Sequence, residues 1–128
     1  RVRRAGLRFR PGEDVPVVDP DNDPRFREYW TEYHGLMNRR GVTPDMAKAQ
    51  IRRSTTTIGA IAVRRGEADA MICGMVGRFD SHLENVRDVI GPARGGGTFA
   101  TLNALMLPGQ TIFVADTFVN DDPDADDD

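Results

Sequence analysis

Ala68-Asp69-Ala70-Met71-Ile72-Cys73-Gly74-Met75-Val76-Gly77-Arg78 is the stretch on which the fold reading turns. Ala68–Gly74 is a short apolar run that follows a helical pattern and stops at glycine, the signature of a buried strand. Gly74 to Gly77 then make a glycine-bearing turn. Asp80 or Ser81 is placed to cap a helix that carries Leu83, Val86 and Ile90 and ends at Gly91-Pro92. A buried strand, a turn and an amphipathic helix together are the repeating unit of an α/β fold.

Upstream, Ser54-Thr55-Thr56-Thr57 opens a segment with Ile58, Ile61 and Ala62 that closes on Arg64-Arg65-Gly66. It reads as a buried helix with its threonines in the first turn and glycine just beyond its end. Thr43-Pro44-Asp45 starts a shorter helix with Met46, Ala47 and Ile51, running to about Arg53. Before that, Phe26, Tyr29, Trp30, Tyr33 and Met37 recur at helical spacing behind Asn22-Asp23-Pro24, on a helix that runs to about Arg40 and stops at Gly41. Val15-Pro16-Val17-Val18 reads as an edge strand or strand start, because Pro16 can donate no ladder hydrogen bond. Downstream, Gly95-Gly96-Gly97 is a loop. Thr98–Leu107 and Thr111–Ala115 are β-rich runs joined by Pro108-Gly109, which predicts a hairpin. The whole predicts an α/β/α sandwich with a mixed sheet.

The 128 residues suit one domain with a real core, since a chain of this size buries about two-thirds of its unfolded surface. No apolar run approaches the roughly 18 residues needed to span a bilayer, which argues against a membrane protein. One cysteine excludes an intrachain disulfide framework and a Cys-rich zinc module, and two histidines argue against a His-rich metal site. The net charge of −3 hides an asymmetry: residues 1–65 hold 14 basic against 8 acidic side chains, and residues 66–128 hold 3 against 12. Arg1, Arg3, Arg4, Arg8 and Arg10 could hold phosphate, but without interleaved aromatics they read as a solvated segment, not a nucleic-acid surface. Seven acids fall in 116–128, either a solvated tail or, from Asp122-Pro123-Asp124, the start of a helix cut short. With Arg1 as the first residue and no secretory signal, the chain is expected to be a piece of something longer.

Two places could carry chemistry. Gly74, Gly77 and Arg78 lie between a predicted strand and a helix start, where glycines admit a close backbone approach and a guanidinium adds a forked charge for an anion. The same residues also serve as an ordinary strand–helix turn. Asp116 and Asn120 follow the last predicted strand and could hydrogen-bond a ligand or simply form Asx turns. Cys73 reads as an inert buried thiol, His34 as a surface or packing residue and His82 as a surface residue.

Several of these segments, in this order, resemble the phosphate acetyl/butyryltransferase family. They are Gly66-Glu67-Ala68-Asp69-Ala70-Met71 with Gly74, the helix ending Val89-Ile90-Gly91, Phe113-Val114-Ala115-Asp116 after a Pro-Gly turn, and Asn120-Asp121-Asp122-Pro123. The family's active members typically carry Ser-Gly-Ala-x-His-Ser/Thr-Thr where this chain has Cys73-Gly74-Met75-Val76-Gly77-Arg78-Phe79, and an arginine where it has Glu84. That loses polar donors from an acyl-phosphate site. Arg39-Arg40-Gly41-Val42-Thr43-Pro44, Ala62–Gly74 and Gly77-Arg78-Phe79 resemble the phosphotransacetylase-like C-terminal region of bacterial multidomain NADP-dependent malic enzymes.

The resemblance implies one lobe of an isocitrate/isopropylmalate dehydrogenase-like fold. Residues 1–14 would lead in, 15–120 would form the core, and 121–128 would be a truncated acidic end. It also implies a regulatory and oligomerisation module without catalytic residues, binding acetyl-CoA or a similar effector through Gly74, Gly77, Arg78, Asp116 and Asn120. NADP and a divalent metal would belong to absent N-terminal domains, and no cofactor to this chain. A homo-oligomer, the rest of a malic enzyme chain as partner, no nucleic acid, no membrane and a cytoplasmic location follow from the same resemblance. A working phosphate acetyltransferase, passing acetyl between acetyl phosphate and CoA, is the alternative.

Overall fold

The computed structural model describes residues 6, 8, 10–92, 99–117, 119 and 120. It divides into two compact units, Arg1–Ile90 and Gly91–Asp128.

The first unit is built from four helices: α1 (Phe26–Met37), α2 (Pro44–Arg53), α3 (Thr55–Arg64) and α4 (Phe79–Val89). Their ends follow from local chemistry. Thr43 caps α2 by accepting the Met46 N–H on its hydroxyl at 3.3 Å, with Pro44 in the first turn. Ser54 does the same for α3 at Thr57, so the threonines occupy the first turn as their side-chain chemistry predicts. After α1 a 3-10 turn over Asn38–Arg40 ends at Gly41, whose φ of 85° reverses the chain at the predicted stop. The start of α1 differs slightly from prediction. The cap position is Arg25, while the Asp23 carboxylate accepts the Arg25 backbone N–H from two residues upstream.

The aromatic stripe of α1 faces inward: Tyr29, Tyr33 and Met37 are buried, with Phe26 and Trp30 packed beside them. Ile51 from α2, Ile58 and Ile61 from α3, and Val89 from α4 complete the core. Around it, the Glu67 carboxylate joins the end of α3 to α1. It accepts the Tyr29 hydroxyl at 2.5 Å, Arg25 at 3.0 Å and the Arg65 guanidinium at 2.5 Å. These donors hold the Glu67 carboxyl below its ordinary value, and burial together with this bond pushes Tyr29 up to about 12.

The second unit contains β1 (Leu102–Leu107) and β2 (Gln110–Ala115), antiparallel, with Leu102 opposite Ala115 and Leu107 opposite Gln110. Pro108 and Gly109, the latter at φ 83°, make the two-residue connection that the Pro-Gly pair predicts. Unlike a one-sided hairpin, both faces are apolar and exposed. Leu102, Met106 and Phe113 lie on one face, Leu105, Ile112 and Val114 on the other.

The α/β content is as predicted, but among the described residues no mixed sheet is formed. Among the described residues the one sheet is the β1–β2 hairpin. Neither Val15–Val18 nor Ala68–Gly74 is a strand; the former makes a single bridge, Pro11 to Val15, and both are largely exposed. A strand exists only by exchanging backbone hydrogen bonds with a neighbour. These two runs have the composition of strands without a ladder partner in the first unit's described residues.

Candidate functional site

The loop between residue 71 and α4 sits where the candidate residues Gly74, Gly77 and Arg78 were expected to act. Gly74 and Gly77 take φ values of 97° and 109°, which strain any other residue. The two left-handed positions bend the chain around Met75 and Val76 and deliver it to α4. The helix begins at Phe79 with Arg78 as its cap residue, two or three residues earlier than an Asp80 or Ser81 cap implies.

Gly77 has a second reason to be glycine. A Cβ there would stand 3.0 Å from Nε2 of His82. The imidazole, expected at the surface, is instead half-buried and bonded at both nitrogens. Nε2 lies 2.8 Å from the Val76 carbonyl oxygen and Nδ1 lies 2.7 Å from the Thr56 hydroxyl. A carbonyl can only accept, so Nε2 carries the proton, and in the neutral ring Nδ1 accepts from Thr56.

Behind this contact is a polar cluster in the helix packing. Gln50 donates to the Thr57 hydroxyl at 3.0 Å and to the Asn85 side-chain oxygen at 2.9 Å. Thr57 donates to the same oxygen at 2.8 Å, and Asn85 donates onward to the Ser81 carbonyl. Thr57 is fully buried, so its hydroxyl is satisfied wholly within the protein.

Two clefts meet at the starts of α3 and α4. One, of about 270 Å³, lies between Thr55, Thr56 and Gly59 of α3 and the Met71–Val76 segment. The other, of about 370 Å³, is lined by Arg53, Ser54, Arg78 and Ser81, and the two share Thr55, Thr56, Val76 and His82. Helix starts, hydroxyls and two guanidiniums make this corner attractive to an anion. Arg78 is already engaged, however. Its Nε and Nη2 donate to the two Asp80 carboxylate oxygens at 3.1 and 2.6 Å, which holds the Asp80 carboxyl below its ordinary value. Both side chains are largely exposed, so the pair is weak and exchangeable. Cys73 is exposed at the first cleft, not buried as expected. Among the described residues no three His, Cys, Asp or Glu side chains are grouped to hold a metal ion. Nor is any helix among them long and apolar enough to cross a membrane.

Asp116 and Asn120 belong to the second unit, where they meet each other. Asp116 takes φ 45° and is buried at the base of the hairpin. Its N–H donates to the Thr101 carbonyl at 2.6 Å, and its carboxylate accepts the Thr101 N–H at 3.3 Å and the Asn120 amide at 2.7 Å. Asn120 also donates to the Phe99 carbonyl at 3.0 Å. These bonds close the hairpin in the manner of an Asx turn. The first unit thus gathers Gly74, Gly77 and Arg78 around the start of α4, and the second gathers Asp116 and Asn120.

Sequence reasoning missed His82, Thr56, Gln50 and Asn85. The available signal was the i, i+3 pair His82 and Asn85 on one side of α4, facing threonines in an otherwise apolar helix.

A profile of the phosphate acetyl/butaryl transferase family matches residues 1–128. The chain is 50% identical to the NADP-dependent malic enzyme of Escherichia coli (strain K12) over 98% of its own length, and 46% identical to that of Salmonella typhimurium (strain LT2) over 96%. It is 24% identical to the phosphate acetyltransferase of Nitratidesulfovibrio vulgaris over 88%. In each case the match spans 16% of the relative's length. With its whole length matched, the chain belongs to the phosphate acetyl/butaryl transferase family.

Proposed function

We propose that this chain is a regulatory and oligomerisation module of an NADP-dependent malic enzyme and binds acetyl-CoA or a similar effector without transferring an acyl group. The observation that carries this reading is the loop from Cys73 to Phe79. It presents exposed Met75 and Val76, a guanidinium paired with Asp80, and none of the serine, histidine and threonine donors that active relatives are expected to carry there. A loop of that kind can hold an anionic or acyl group but offers few polar groups to a developing oxyanion. The identity to the Escherichia coli malic enzyme, twice that to the Nitratidesulfovibrio vulgaris phosphate acetyltransferase, supports the same choice.

In this reading Arg78 exchanges its Asp80 partner for an effector phosphate or carbonyl, with the Gly74 and Gly77 backbone admitting the group closely. Asp116 and Asn120 shape the hairpin base and act through it. NADP and the divalent metal belong to other domains of the malic enzyme, and the location is cytoplasmic. The fold would be one lobe of an isocitrate/isopropylmalate dehydrogenase-like pair, with the core over 15–120. For the effect to be allosteric, the effector must favour one oligomeric arrangement over another.

Titration calorimetry with acetyl-CoA on a full-length malic enzyme carrying this chain tests the reading. Binding is expected, and Arg78→Ala is expected to weaken it by about tenfold, the worth of one charge-assisted hydrogen bond. Absence of binding removes the effector, and unchanged binding in the variant removes Arg78. The relatedness to phosphate acetyltransferases over most of the chain supports a second reading, an active acetyl transfer between acetyl phosphate and CoA. Release of CoA-dependent phosphate from acetyl phosphate decides for it.

A further inference from the structure

The segment from Met71 to Gly77 is held at both ends. At one end Met71 lies against α3, its terminal methyl 3.4 Å from where a Cβ on Gly59 would stand. At the other, the Val76 carbonyl accepts the His82 Nε2 proton. Between these points Ile72 and Met75 are 99% and 91% exposed, and left-handed glycines stand at 74 and 77. The span lies along the cleft that opens on Thr55 and Thr56.

We propose that His82 is a clasp: its imidazole holds the 71–77 strap against the starts of α3 and α4, and its release opens the strap and frees the Thr56 hydroxyl in a single event. Three features of the geometry converge on this. The ring is bonded at both nitrogens to two different elements, so its departure releases both partners at once. Gly77 leaves room for the ring where any side chain would strike Nε2. The exposed apolar side chains give the strap little packing of its own, so two modest hydrogen bonds decide its position. His82 is thereby a positioning residue for the cleft. This role does not depend on which ligand the cleft takes.

Cys73 is the chain's single cysteine, is exposed and lies within the strap, so a nitroxide attached to it reports strap motion directly. The spectrum of the full 128-residue chain is measured in one buffer for all variants. His82→Ala and Thr56→Val are each expected to raise the mobile-to-immobile ratio by about tenfold. His82→Gln, which keeps an N–H donor for the Val76 carbonyl, is expected to recover part of the immobile fraction. In the unlabelled wild type, long-range proton–nitrogen NMR is expected to show the Nε2–H tautomer. Spectra unchanged in both His82→Ala and Thr56→Val overturn the clasp, as does an Nδ1–H tautomer. Should His82→Ala lose its helical circular dichroism, Thr56→Val and the wild-type tautomer decide the matter.

Discussion

Thr57 shows most clearly what a single side chain does here. Its hydroxyl is fully buried and joins Gln50 of α2 to Asn85 of α4. Thr57→Val keeps the shape but leaves the Gln50 amide and the Asn85 oxygen with fewer partners. It is expected to lower stability by about 1–3 kcal/mol, read from urea unfolding. The three threonines at 55–57 were legible as a helix start, because Ser and Thr favour that turn. Their inward bonding was not, since a hydroxyl's partner depends on which helix arrives opposite it. The same holds at Cys73 and His82. One reads as buried and the other as exposed by residue type, and the packing reverses both.

Helices were the legible elements. Three of the four carry their own signals, a cap residue at 43 or 54, a proline at 44 and a glycine at 41, and these act within a few residues. Strands depend on a partner that sequence does not name, so 15–18 and 68–74 have strand composition but no ladder among the described residues, while the hairpin, whose partner is two residues away, is legible, its first strand starting at Leu102 and not at 98. Two predictions belong to this scale. Gly35 lies inside α1, and a Cβ there meets nothing within 4 Å. Gly35→Ala is therefore expected to stabilise the chain by about 0.5–1 kcal/mol in thermal unfolding. The junction of α1 with the end of α3 is governed by Glu67, whose carboxyl is held below its ordinary value of 4.5 first by the Tyr29 hydroxyl and then by Arg65. A lowered folded-state value means the unfolded chain takes up the proton first. The contribution is thus full above the ordinary carboxylate range and is lost as pH falls through the folded value. Wild type is expected to be more stable than Glu67→Gln near neutrality, with the two converging in acid, as followed by denaturant midpoints across pH.

At the scale of the whole molecule the two units differ in how their apolar side chains are used. The helical unit buries Ile51, Ile61 and Val89 almost completely, whereas the hairpin leaves Leu102, Met106 and Phe113 more than half exposed. A two-stranded hairpin is marginal in water, so its amides are expected to exchange with solvent about a hundredfold faster than those of Ile58–Ile61 in α3. Equal protection, measured by hydrogen exchange on the intact chain, would show that another surface covers the hairpin. That α and β elements coexist was legible from periodicity alone. The division at Ile90 was not, because nothing in the composition around Gly91-Pro92 distinguishes a boundary from a turn. The neighbour-to-neighbour packing of the helices, α1 on α2, α2 on α3 and α3 on α4, has a further consequence for how the chain comes into being. Such contacts close short loops, so native topology imposes little delay. The helical unit can assemble in order as it leaves the ribosome, ahead of the hairpin that follows it.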